Sequence, residues 1–241
     1  TTGVEKMVGL TVLSLSGNHI KIINLENNIL LKELFLDDND IEVINLENNI
    51  LLEGLFLDDN DIEELDVSNH PSLKAVTVRY NDLVSVSVAG DSMLRELDAF
   101  RTKGRLSSVD VSGCSNLEYL DISNSVGNSS MTELDLSDNV ELVTLKAYGN
   151  NLSDEDIVAN NTKLQNLYLG DDDAAEGDFL YNNFSRINLS NNDELKKVYL
   201  TSNKLRSIDV GNLTNLEELG LAGNLLEELN VSNNIKLTRL T

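Results

Sequence analysis

Asp98 and Asp121 each close an L-x-x-L-D motif, Leu94–Asp98 and Leu117–Asp121. On neighbouring strands their carboxylates would stand about 5 Å apart, close to the acid and nucleophile of a retaining glycosidase. Such a pair needs enclosure, because burial is what raises one carboxyl enough to act as an acid. Nothing in the flanking sequence encloses these two, so they are read as exposed acids on an open sheet and no enzyme is expected. A second acidic group, Asp37-Asp38-Asn39-Asp40, recurs as Asp58-Asp59-Asn60-Asp61. On strands stacked about 4.8 Å apart these like charges face each other, and Ca²⁺ would relieve the repulsion through carboxylate oxygens. No EF-hand spacing accompanies them. A solvated acidic edge copied with the repeat explains Asp37, Asp38, Asp58 and Asp59 without a metal, and no cofactor is expected. His19 and His70 lie far apart at turn positions and read as solvated or capping residues. Cys114 is the only cysteine, so an intramolecular disulfide is impossible, and it reads as a small buried residue. Arg101, Lys103 and Arg105 form a small basic patch in an irregular turn, better read as a salt-bridged loop than as an anion site.

The elements that carry these residues come from an internal repeat. Residues 23–43 and 44–64 are 21-residue copies that differ only at Glu53, Gly54 and Glu64. The pattern L-x-x-L-x-L-x-x-N-x-L then runs along the chain, led by Leu10, Leu31, Leu52, Leu73, Leu94, Leu117, Leu142, Leu164, Leu195, Leu216 and Leu237. The step from Leu164 to Leu195 carries about ten extra residues, within 170–183. A second half of the form φ-D/N-φ-S-x-N (φ apolar) follows each motif, as in Leu65-Asp66-Val67-Ser68 and Leu134-Asp135-Leu136-Ser137.

In L-x-x-L-x-L apolar and exposed residues alternate, the period of a strand. One such strand cannot bury its apolar edge alone, whereas stacked coils bury it against one another. Every coil runs the same way round, so the strands must be parallel. The Asn slot, filled by Asn18, Asn39, Asn60, Asn81, Asn150, Asn203 and Asn224, falls where the chain leaves the strand. An amide both donates and accepts, which suits it to turn groups otherwise buried unpaired. The second half alternates without a helical period, predicting extended segments or short strands on the outer face and little helix.

These motifs resemble the leucine-rich-repeat family, and the 21-residue unit with its LDVSxN second half is most similar to bacterial internalin-type surface repeats. The match covers roughly residues 10–240. It implies a β-rich solenoid, a right-handed arc with a parallel sheet on its concave face. It also implies a secreted or cell-wall-attached bacterial adhesion or ligand-binding role. The strand position that holds Cys in one internalin variant holds Leu, Val, Ile or Ala here, and no helical N-terminal cap is evident. One domain of about eleven coils is expected over residues 1–241. The final strand has no sequence left to cap it, so a longer protein or association of the ends is expected.

Counting each coil from its leading Leu as zero, positions two, four and six project from the inner sheet. Position four reads Ser14, Phe35, Phe56, Thr77, Asp98, Asp121, Lys146, Tyr168, Tyr199, Gly220 and Thr241. Of six tyrosines and five phenylalanines, seven take these exposed positions: Phe35, Phe56, Phe100, Tyr119, Tyr148, Tyr168 and Tyr199. Aromatics usually go where apolar area is buried, so a row aimed at solvent points to a binding surface. Plain strand preference with ring-on-ring stacking is the competing account. With Asp98, Asp121 and Lys146, these residues form the expected ligand-binding face. The 170–183 insertion directly follows Tyr168 and carries Phe179 and Tyr181, so it is expected to wall one end of the groove or else to be a solvated loop.

The net charge of −23 excludes nucleic acid, for which a basic stripe would be needed, and an anionic membrane surface. It favours a soluble monomer and a cationic partner. No segment is apolar enough to span a bilayer. The expectation is a noncatalytic module that binds a protein on its concave face. A glycan, stacked on the same rings, or a purely structural role in a larger protein are the alternatives.

Overall fold

A computed structural model describes residues 2–102, 106–124, 130–171 and 181–241. Eleven three-residue or shorter strands, from Val12–Ser14 to Arg239–Leu240, form one parallel sheet in chain order. The chain is a leucine-rich-repeat solenoid, with ten turns of chain between the first strand and the last. Each strand covers positions two to four of its coil, the last one only two and three, and like positions pair across every step: Phe35 with Phe56, Thr77 with Asp98, Asp98 with Asp121, Tyr168 with Tyr199. On the opposite face Glu64–Asp66, Ser85–Ser87 and Ser108–Asp110 form a second, three-stranded parallel sheet. The helical content among the described residues is a single 3₁₀ turn, Val4–Lys6.

The alternation in the sequence becomes a ladder of leucines. Leu34, Leu55, Leu97, Leu120, Leu145, Leu167 and Leu219 occupy position three and are fully buried, as are the leading leucines Leu31 to Leu216. Burying one such side chain contributes about 1.5–3 kcal/mol. In the first and last coils Leu10, Leu13 and Leu237 are only partly buried, because a neighbour covers them on one side alone.

Two polar ladders run beside the leucines. In the first, Asn60 Nδ2 donates to Leu57 O at 3.1 Å and to Leu36 O of the preceding coil at 3.0 Å, while its Oδ1 accepts Ile41 N–H at 3.0 Å. One amide therefore closes its own turn and pins it to the previous one. Asn182 restores this ladder after the insertion, donating to Ala147 O and Leu169 O and accepting Leu152 N–H. The coil thus resumes at a standard slot in Asn182. Residues 172–180, including Phe179, lie outside the described residues, as do Lys103 and Arg105. At Thr102 the slot lacks an amide, and among the described residues its buried Oγ1 has no hydrogen-bond partner.

In the second ladder Asn49 Nδ2 donates to Leu25 O and Asn28 O, and Asn161 repeats the pattern on Leu136 O and Asn139 O. Three successive coils break it with His70, Asp91 and Cys114. His70 is buried, its Nε2 3.1 Å from Leu46 O, and Cys114 Sγ donates to Val88 O at 3.1 Å. Burial pushes the Cys114 thiol up to about 12, which leaves it protonated and unreactive. Cys114 packs as the sequence suggested, and of the two roles open to His70, solvated or capping, its burial removes the first.

Candidate functional site

The face formed by positions two, four and six gathers the expected residues into one strip, because parallel stacking in register puts equal positions side by side. At its first end the Phe35 and Phe56 rings stack at 4.8 Å, 3° from parallel. The acids beyond them are tied down. Asp37 Oδ1 accepts Asp58 N–H at 3.1 Å, and Asp58 Oδ1 accepts Arg79 N–H at 2.9 Å. Asp58 Oδ2 then takes the Arg79 guanidinium at 2.7 Å through Nε and 2.6 Å through a terminal nitrogen. The repulsion expected from the copied acidic run is relieved by backbone amides and an arginine. Among the described residues no group of three or more His, Cys, Asp or Glu side chains is arranged to hold a metal ion.

Asp98 and Asp121 stand side by side as the motifs suggested, but they are not exposed: 8% and 3% of their surface is accessible. The side chains around them, which a strand pattern does not reveal, roof them over. Asp121 is fully engaged. Ser123 donates its hydroxyl to Oδ1, the Tyr119 hydroxyl donates to Oδ2 at 3.2 Å, and Lys146 Nζ lies 3.3 Å from Oδ2. Lys146 also sits 5.5 Å and 6.0 Å from the Tyr119 and Tyr168 ring centres. Burial pulls its ammonium pKa down, but Asp121 and Tyr119 outweigh burial and hold it above the ordinary value. Burial and the Asp121 charge push Tyr119 up to about 12. Burial and the same charge raise Asp98 to about 6.

The remaining aromatics are fixed as well. Phe100 meets Tyr80 edge-on at 5.9 Å, with the Arg101 guanidinium 5.1 Å from its centre. Tyr148 is half-buried, and burial raises its hydroxyl pKa. Tyr168 and Tyr199 stack at 5.3 Å, 3° from parallel. Tyr199 departs from the expected exposed row, because it is 1% accessible. Its hydroxyl donates to Glu218, which also pairs with Lys197 at 2.7 Å, and Arg239 lies 5.5 Å from its ring centre. Gly220 gives the ring its space: a Cβ there would stand 2.5 Å from Tyr199 Cδ1. Tyr199 is therefore a floor on which Tyr168 rests. Glu218 and Arg239 were not among the expected residues, although both occupy position two and their charges are legible there.

The result is a continuous strip, apolar at one end, charged in the middle and aromatic again beyond. No protein-family model matches the chain, and no curated protein matches it. Solved structures do. A leucine-rich-repeat protein of Leptospira interrogans superposes with a TM-score of 0.81 at 22% identity, over 98% of this chain and 61% of that one. The internalin InlJ of Listeria monocytogenes, whose functional domain includes a cysteine ladder, gives 0.60 at 21% identity, over 100% and 59%. A plant peptide hormone receptor, RGFR1, in complex with RGF2, gives 0.75 at 24% identity, over 98% and 40%. At these identities the likeness shows the leucine-rich-repeat fold. The chain spans about three fifths of the length of the first two.

Proposed function

We propose that this solenoid is a noncatalytic binding module that recognises a protein on the face of its long sheet. The observation that carries this reading is the row of half-buried rings, Phe35, Phe56, Phe100, Tyr119, Tyr148 and Tyr168, held on the accessible side of a sheet whose opposite side is already packed. A stacked ring that keeps part of its surface exposed offers apolar area at little further cost in side-chain freedom, the property that enriches Tyr at interfaces. The receptor solved with RGF2 supports the idea that a related curve binds a polypeptide. Asp98 and Asp121 do not make an enzyme on this reading: Lys146, Tyr119 and Ser123 engage Asp121 in a structural network. The resemblance to internalin-type repeats supports secretion or display at a bacterial surface, and among the described residues no helix is long and apolar enough to cross a membrane.

The test is a purified partner, found by screening proteins and glycans, measured against wild type and Phe35→Ala/Phe56→Ala/Tyr168→Ala. Equal melting of the two proteins comes first. The reading predicts a loss of affinity of at least a hundredfold, from three truncated contacts of about 1 kcal/mol or more each. Unchanged affinity would contradict it, and a glycan as the captured ligand would move the reading to sugar stacking.

A further inference from the structure

Three acids of the sheet face are buried: Asp58, Asp98 and Asp121. Asp58 holds Arg79, Asp121 holds Lys146 and Glu218 holds Lys197. Asp98 lies between the first two of these pairs and has none. Among the described residues no cation reaches it within ion-pair distance, and its one described hydrogen bond comes from Phe100 N–H to Oδ1, at 3.1 Å. It is nevertheless more than nine-tenths buried. An ionised carboxylate taken out of water without a counter-charge is costly, and the usual remedies are a proton or a cation. Nearby charges do not settle the matter: Asp121 and Asp58 repel it, and Arg79, which attracts it, is already engaged by Asp58.

The surroundings favour an organic cation. Phe100 is two residues along the same strand face, and Tyr119 projects from the next coil. Both rings already take part in cation–ring contacts, Arg101 with Phe100 and Lys146 with Tyr119. A charge resting among aromatic faces is stabilised by the ring quadrupoles, increasingly so when desolvated. A net charge of −23 draws such groups in from a distance.

Resting on the reading of this face as a protein-binding surface, we propose that Asp98 receives a lysine or arginine side chain of the partner, which completes the row of ion pairs. The partner then carries a basic residue at the centre of its footprint, between the Phe35–Phe56 stack and Tyr168.

The test follows the Asp98 carboxyl by carbon NMR through a pH titration, assigned with Asp98→Asn. The probes are acetyl-Gly-Arg-Gly-amide and acetyl-Gly-Lys-Gly-amide, with acetyl-Gly-Gln-Gly-amide as the neutral control. At saturation a basic peptide should lower the Asp98 midpoint by at least one unit, which is tenfold tighter binding to the ionised form. The glutamine peptide should not move it. Asp98→Asn should weaken basic-peptide binding tenfold or more without lowering the melting temperature, since it removes a buried charge. An unmoved midpoint overturns the proposal. With a purified partner the two readings separate. If Phe35→Ala/Phe56→Ala/Tyr168→Ala abolishes binding while Asp98→Asn leaves it intact, this inference fails and the face remains the binding surface. If the peptides seat on Asp98 but the partner ignores the aromatic variant, the subsite stands and the wider reading fails.

Discussion

Asp91 shows how a single residue departs from its repeat. It fills an amide slot with a carboxylate, accepts His70 N–H at 2.6 Å through Oδ1, and leaves Oδ2 buried without a partner. Burial raises its pKa to about 7. A raised folded value penalises the ionised form alone, so the penalty is absent below about pH 4, grows above it and is complete above about pH 7. Asp91→Asn keeps the Oδ1 contact and points an NH₂ at Val67 O and His70 O, as Asn49 does one coil pair earlier. The variant should gain about 1–2 kcal/mol at pH 8 and little near pH 4, read from denaturant unfolding at both pH values. A gain of equal size at both would show that ionisation is not the cause. Such exceptions are where sequence reading ran short. Cys114 was legible as a small buried residue and His70 as a turn residue, but Asp98, Asp121 and Tyr199 were read as exposed. Strand alternation reports which side a residue leaves from and says nothing of what neighbouring side chains lay over it.

At the scale of one coil against the next, the altered copy of the duplicated repeat has a physical reason. The first copy carries Lys32 where the second carries Glu53, and Lys74 follows in the next coil. A third lysine would have stacked like charges, whereas Glu53 receives Lys32 Nζ at 2.9 Å and Lys74 Nζ at 2.6 Å. Hydrogen bonds from the two lysines lower its pKa to about 2. A lowered folded value means that the contribution is present above the ordinary carboxylate range and disappears as the pH falls toward 2. Glu53→Gln should therefore melt below wild type at pH 7, and the two curves should converge near pH 2. Parallel curves across that range would show that the bridges contribute nothing. The ladders make a second prediction. Leu120→Ala should cost about 2–5 kcal/mol in urea unfolding, because the cavity lies between two fixed coils. Asn60→Ala should cost about 1–3 kcal/mol by leaving buried carbonyls unpaired. The repeat period gave the amide slot of the first ladder but not Asn182, which ten inserted residues displace from the expected spacing.

For the molecule as a whole, the period fixed the architecture, since a unit that cannot bury its own apolar edge must stack. The outer face followed too, as extended chain with short strands. What the period could not supply was the pairing of charges across coils, which depends on side-chain reach. A net charge of −23 spread over stacked coils opposes compactness. Raising NaCl from about 0.01 M to about 0.15 M shortens the screening length from about 30 Å to about 8 Å and should raise the melting temperature. The central claim remains the binding face. Hydrogen exchange of the solenoid with and without its purified partner tests it most directly. The account predicts slowed exchange in peptides that span the strands from Glu33–Phe35 to Lys197–Tyr199, with the outer segments Glu64–Asp66 and Ser108–Asp110 unchanged. Slowing confined to the outer face, with the long sheet unaffected, would contradict it.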